Sequence, residues 1–397
     1  METVSVILVG VGGYAGIYAE AMLSEKAVDA RIEAVVTTNS SKSVYYDAFV
    51  SQGIPMHADL AACLNNHKAD LAVISTPIGL HFSQSMLCLL HDCNVLVEKP
   101  ICANVNDAIE LESAQSKYGK FVAVGFQNSY FEDMLKMKRH IMDGVYGKPI
   151  RFKTVYAPRR GMSYYKRNGW AGRIKSDDGN HILDSPINNA CAHYLHLMLF
   201  MLGDALDEAL MPITVEAETY RANPNIENYD VAALRCKLPR DIELLYYAAH
   251  ALEEHGISPR CCFEFEKGHI VFDWDKGDKF IGTTINGQTY TYTRPESYDE
   301  AQKLWDCIQA VRDKTIPVCT VKTALPHMQV VHTIQPAAVS CVDSRNVKRY
   351  EIDGEEYFGL MGLKDIFIKG FEENKLPYEI GAMWANKPEI TKIKGVN

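Results

Sequence analysis

Near its start the chain reads "ILVGVGGYAG", an apolar β-branched run that breaks into glycines and then opens a helical pattern. No other feature narrows the fold as much. Gly10, Gly12 and Ala15 stand in the G-x-G-x-x-G/A register, with Gly13 and Tyr14 between them. At a strand–turn–helix junction each has a physical task. Gly10 permits the tight turn, Gly12 lets a pyrophosphate reach the backbone, and Ala15 keeps helix and strand close. The helix N-terminus then faces the phosphates. The spacing therefore predicts a dinucleotide site, against the simpler reading of a glycine turn chosen for packing.

The next 120 residues repeat the same alternation. Apolar runs at "SVILVG", "EAVVTT", "LAVIST", "NVLVEKP" and "FVAVGFQ" are separated by helical patterns such as "LHFSQSMLCLLHD" and "NVNDAIELESAQSKYG". Strands that are apolar throughout and spaced by helices predict a doubly wound parallel sheet over residues 1–128. After Asn128 long strand-like runs follow one another, several of them alternating polar and apolar. Residues 129–397 are thus expected to form an α+β domain on a large, mainly antiparallel sheet. Helices are expected near 187–202, 297–313 and 357–373. Asn286-Gly287 is expected to make a two-residue hairpin turn with both φ angles positive.

Composition removes several classes of function. With 397 residues and a formal net charge of −9, the chain lacks the basic excess that broad nucleic-acid binding requires. Its apolar runs fall short of the roughly 18–20 residues of a membrane-spanning helix. The start goes straight into strand and glycines, unlike a secretory leader. Eleven cysteines without a CxxC pair fit a reduced, cytoplasmic protein whose thiols are buried. His181, Asp184, His193 and His196 lie close in sequence but lack a clear three-ligand spacing, so no metal is expected.

The end of the second strand, "VVTTNSSKS", has no acidic residue to grip a ribose. Thr37, Thr38 and Ser40 offer hydroxyls there, and Lys42 could meet a 2′-phosphate, so both NAD and NADP stay open. In such a sheet the ligand lies beyond the carboxyl ends of the strands. Besides the glycine turn, two more ends should line up: "STPIGLH", with Thr76, Pro77 and His81, and "EKP", with Glu98 and Lys99. A desolvated lysine beside a cationic nicotinamide releases its proton more readily, which suits it to take a proton as hydride leaves an alcohol. The simpler alternative is an ion pair between neighbours Glu98 and Lys99.

The segments "GVGGYAG", "VISTPIGLH", "NVLVEKP", "VAVGFQNSY" and "IMDGVYGKPI" together resemble the Gfo/Idh/MocA oxidoreductases, NAD(P)-dependent enzymes acting mainly on sugars, inositols and related polyols. The resemblance implies a Rossmann domain followed by an α/β domain whose open sheet face joins subunits, giving a homodimer or homotetramer. It makes Lys99 the catalytic lysine, followed by a Lys99–Pro100 bond that is often cis, and adds Gln127 to the cofactor contacts. It also places His193 on the family's catalytic histidine. The family's aspartate, four residues earlier, is replaced by Asn189, and Asp184 stands nearby as the other candidate carboxylate.

Upstream, "VYAPRRGMSYYKRNGWAGRIK" is dense in Arg, Tyr and Trp. Aromatic faces and guanidinium forks suit a sugar and its hydroxyls, which makes Tyr156, Arg159, Tyr164, Trp170 and Arg173 candidate substrate contacts. A solvated basic loop is the plainer reading. The resemblance implies a dehydrogenase that oxidises a secondary hydroxyl of a sugar, glycoside or cyclitol, for a glycoside at C3. One rival is a hydrolase or lyase that works by transient C3 oxidation and elimination. The other is a non-enzymatic dinucleotide-binding sensor.

Overall fold

The structure is a computed structural model that describes residues 3–177, 179–293, 299–335 and 339–393. The first two residues of the expected 297–313 helix lie outside these. The chain divides into two compact units, one of residues 1–131 and 297–325, the other of residues 132–296 and 326–397.

In the first unit, strands β1 (Val4–Val9), β2 (Ala30–Val36), β3 (Met56–His57), β4 (Leu71–Ile74), β5 (Asn94–Val97) and β6 (Val122–Val124) form a sheet in the order β3-β2-β1-β4-β5-β6. Every neighbouring pair is parallel. Strands β1, β4 and β6 are buried throughout and β5 from Val95 on, as expected at the centre of a doubly wound sheet, while β2 carries exposed Arg31. Tyr18, Ala19 and Met22 of helix Gly16–Leu23 share a core with Leu304, Cys307 and Ile308 of helix Gln302–Asp313. That second helix was expected in the C-terminal domain; it packs in this unit because its apolar stripe completes the β1 face. Helix Val105–Tyr118 starts where the Asn104 side chain accepts from the Asn106 N–H and stops at Gly119, φ +63°.

The second unit is built on β7 (Pro149–Ala157), β8 (Thr214–Arg221), β9 (Val231–Lys237), β10 (Glu243–Ala249), β11 (Ile257–Phe265), β12 (Gly268–Asp273), β13 (Lys279–Thr284), β14 (Thr289–Thr293) and β15 (Ser340–Cys341). Their order is β14-β13-β12-β11-β7-β10-β9-β8-β15, antiparallel apart from β7/β10 and β8/β15. A pair β16 (Val347–Ile352) and β17 (Glu355–Leu360) stands apart, and β18 (Ile390–Lys392) joins β8. One face packs Val155, Leu245 and Tyr247 against Leu363 and Phe367 of helix Leu363–Glu373. Beyond that helix the same sheet carries an ion-pair ladder running Glu216–Arg235–Glu243–Arg151–Glu264–Lys153.

Two local expectations are corrected. The 357–373 helix begins only at Leu363, because Tyr357 and Phe358 pair in β17 and Gly362, φ +71°, breaks the chain between the elements. The β13–β14 turn is a three-residue loop over 285–287. Gly287 alone takes a positive φ, +81°, and its N–H donates to Thr284 O at 2.9 Å. A turn that confines the left-handed conformation to the glycine closes the hairpin without forcing Asn286 left-handed.

Candidate functional site

In the first unit, parallel register brings three chain segments to one row. Val9 pairs with Ile74 and Ile74 with Val97, so Gly10, Ser75 and Glu98 leave the sheet side by side. Gly10 has φ +89°, and a Cβ there would stand 2.6 Å from Ser75 O, so no other residue fits. At Gly12 and Gly13 an added Cβ would meet nothing within 4 Å. The turn therefore presents open backbone where a pyrophosphate is expected, and Ala15 is buried beneath it. Those features fit a dinucleotide.

The remaining cofactor candidates divide by exposure. Tyr14, Thr38 and Lys42 are exposed, with Thr37, Ser40, Thr76 and Gln127 half-buried and Pro77 exposed. The Thr76 hydroxyl donates to Gln84 Oε1 at 2.6 Å. His81 is buried, with Nδ1 2.8 Å from Pro100 O and Nε2 2.8 Å from Thr76 O. Burial pushes its pKa below the ordinary histidine range, so one N–H serves one carbonyl at a time. The ring thus braces two strand ends and keeps neither nitrogen for a ligand. Lys99 is half-buried, and the Lys99–Pro100 bond is cis.

Glu98 is turned into the unit. Its Oε1 accepts from Lys303 Nζ at 2.5 Å and from the Tyr18 hydroxyl, while Oε2 accepts the Lys99 peptide N–H at 3.1 Å. Burial works to raise its pKa; the Lys303 ammonium overrides this and holds the carboxyl below its usual range. Lys303 was missed in the sequence. A signal existed, since it sits four residues before buried Cys307 and seven before buried Ala310, on the apolar face of its helix.

In the second unit, Asp184 and Asn189 are partners. Asp184 is buried; its Oδ2 accepts the Gly172 N–H at 2.6 Å and its Oδ1 accepts from Asn189 Nδ2 at 2.8 Å. Leu183, φ +54°, turns the backbone left-handed just before it. Asn189 precedes the helix, which runs Ala192–Met201, and its own N–H donates to Ser185 O at 3.0 Å. His193 lies half-buried in the first turn of that helix. His196, fully buried one turn on, stacks on Phe200, and burial pushes its pKa far down. Among the described residues no group of three or more His, Cys, Asp or Glu is placed to hold a metal.

The aromatic–arginine stretch is a stacked cluster. Arg167 lies 3.7 Å from the Tyr164 ring centre and 5.1 Å from that of Trp170, and Arg160 lies 4.9 Å over Tyr164. Arg159 sits 4.5 Å over Tyr357, while Tyr156 meets Tyr194 edge-on at 5.4 Å. Arg173 is spent on Asp177 at 2.7 Å and Glu227 at 3.2 Å. Arg160, Arg167 and His250, whose ring is 5.3 Å from Tyr164, were not singled out in the sequence.

Residues 4–126 match the family described as "Oxidoreductase family, NAD-binding Rossmann fold". Over that segment the chain resembles the Gfo/Idh/MocA oxidoreductases. Two curated relatives are similar to the chain over part of its length. The scyllo-inositol 2-dehydrogenase (NADP(+)) IolW of Bacillus subtilis is 26% identical over 133 residues, 33% of this chain and 37% of that protein. The 2,7-anhydro-N-acetylneuraminate hydratase of Mediterraneibacter gnavus is 23% identical over 219 residues, 53% of this chain and 52% of that protein. The chain thus spans between about a third and a half of the length of these relatives. Among solved structures, the WlbA dehydrogenase of Chromobacterium violaceum, in complex with NADH and UDP-GlcNAcA, covers 91% of this chain and 97% of its own at TM-score 0.68 and 21% identity. At that identity the likeness speaks for the fold. Among the described residues, no helix of this chain is long and apolar enough to cross a membrane. Its cysteines are unbridged, nearly all of them buried.

Proposed function

We propose that this chain is an NAD(P)-dependent dehydrogenase that oxidises a secondary hydroxyl of a sugar, glycoside or cyclitol. The observation that carries this is the row at the sheet end, where the Gly10–Gly13 turn leaves β1 and Lys99 follows β5, with the β4 end at Ser75 between them. Gly10, Gly12, Gly13 and Tyr14 would hold the dinucleotide, with Thr37, Thr38, Ser40 and Lys42 toward its ribose and Thr76, Pro77 and Gln127 along its length. When bound, NAD or NADP supplies the hydride acceptor. Lys99 takes the hydroxyl proton as the alcohol carbon is oxidised, and returns it in the reverse direction. His193 shares that proton work. Asn189, held by Asp184 rather than replacing it, offers an amide to a sugar hydroxyl but no charge to an imidazolium. Tyr156, Arg159, Tyr164 and Trp170 give the flat apolar and cationic surfaces that a sugar ring takes.

The test is a panel of sugars, glycosides and inositols with NAD and with NADP, followed at the reduced-nicotinamide absorbance. Substrate-dependent reduction is expected with at least one pair. None across the panel, with nucleotide bound, removes the reading.

A relative that is named a hydratase and matches 53% of this chain favours a second reading, in which transient oxidation at C3 leads to elimination without net redox. Release of aglycone from a chromogenic glycoside without added cofactor would select it. Assembly into a dimer or tetramer through the open sheet face belongs to the same proposal; light scattering after size exclusion tests it.

A further inference from the structure

Glu98 is the carboxylate closest in sequence to Lys99, and a carboxylate beside an amine favours the ammonium form. In this fold Glu98 is committed elsewhere. Lys303, fully buried, puts Nζ 2.5 Å from Glu98 Oε1 and 3.0 Å from the Tyr14 hydroxyl, with the Tyr14 and Tyr18 ring centres 4.9 and 5.4 Å away. Tyr18 donates to the same oxygen. On another side the carboxylate lies against Gly125, where a Cβ would come within 2.9 Å of both oxygens. A buried carboxylate is costly unless paired, and the cation that pairs it comes from helix Gln302–Asp313.

We infer that Lys303 is a positioning residue that sets the proton affinity of Lys99 by neutralising Glu98. The inference rests on the proton role proposed for Lys99. Around the Glu98–Lys99 step stand Lys303 and Asp306 from helix Gln302–Asp313, Tyr14 and Tyr18 from the glycine turn and its helix, His81 from the Thr76 side, and Tyr130 from the turn after β6. Tyr18 and Tyr130 are neutral at working pH, since burial raises both, and the buried His81 ring is neutral too. The Glu98 carboxylate and the Lys303 ammonium in contact with it offset one another's field at Lys99, while Asp306 acts on Tyr130. Without Lys303 the field of the carboxylate at Lys99 is no longer offset. Without Glu98 the Lys303 ammonium does.

A merely structural Lys303 would change stability but leave the Lys99 amine as it was. The test reads that amine directly in the full chain. Lys99 acylation by acetic anhydride is followed by peptide mass spectrometry from about pH 6 to 11, which gives its titration midpoint without any substrate. Lys303→Met is expected to raise the midpoint by about one pH unit and Glu98→Gln to lower it by a similar amount. The double variant, whose charges cancel again, should return close to the parent. An unmoved midpoint in folded Lys303→Met overturns the inference. If that variant does not fold, Glu98→Gln and the double variant decide, and Glu98→Gln without a downward shift overturns it as well. Expected midpoints in a chain that oxidises nothing in the sugar panel would leave the inference standing and bring down the dehydrogenase reading instead.

Discussion

The Asn189 amide donates to Asp184 Oδ1 at 2.8 Å, while the other carboxylate oxygen takes the Gly172 N–H. The two residues that the sequence offers as alternatives are thus halves of one arrangement. Asp184 ties the loop at Gly172 to the approach of helix Ala192–Met201, and Asn189 is oriented by it. Asp184→Ala should cost about 1–3 kcal/mol, because the buried Gly172 N–H and the half-buried Asn189 amide lose their acceptor; urea unfolding measures this. Asn189→Asp sets two carboxylates together and should raise one pKa. That variant should therefore be nearest to parent stability in acid and lose ground as pH rises.

Lys99→Met should lower kcat/KM for sugar oxidation about 10²–10⁴-fold, the range of a lost acid–base group. NADH affinity, read by fluorescence, should change little. A variant of near-parental activity would mean that another group takes the proton.

The glycine turn separates two effects. Gly10→Ala must clash with Ser75 O at a φ of +89°, and should destabilise the fold by more than about 1 kcal/mol. Gly12→Ala meets no protein atom within 4 Å, so its melting point should hold while nucleotide affinity falls. Thermal melts and NADH titration of both variants distinguish packing from phosphate approach.

Glu218 is 2% exposed, accepts from the Tyr220 hydroxyl at 2.6 Å and the Tyr378 N–H at 2.9 Å, and burial pushes its pKa up to about 7. Its folded pKa thus lies above the unfolded carboxyl value. The stability it contributes is full below that unfolded value and is lost as pH rises through about 7. Glu218→Gln mimics the protonated acid at every pH, so its advantage over the parent should grow between about pH 5 and 8. Denaturant midpoints at both pH values check this.

Local features of the sequence carry most of what could be read from it. Strand runs and the glycine spacing act within a few residues, so their outcome is visible in a short window. Misreadings arise where distant partners decide. Tyr357 and Phe358 fit a helical pattern until β16 pairs with them. Lys303 finds its carboxylate 205 residues away, and Arg173 reads as a sugar contact until Asp177 and Glu227 occupy it. His81 reads as a ligand contact until two backbone carbonyls flank its ring.

The first unit closes only with residues 297–325, although its sheet is complete by Val124. A gene cut after Phe131 would encode every strand and the whole glycine turn. Its product would nevertheless expose the patch that Leu304, Cys307 and Ile308 cover and bury Glu98 with no cation. Excising this half as a stand-alone nucleotide binder thus calls for splicing the later helix back on, through a linker that lets it reach β1.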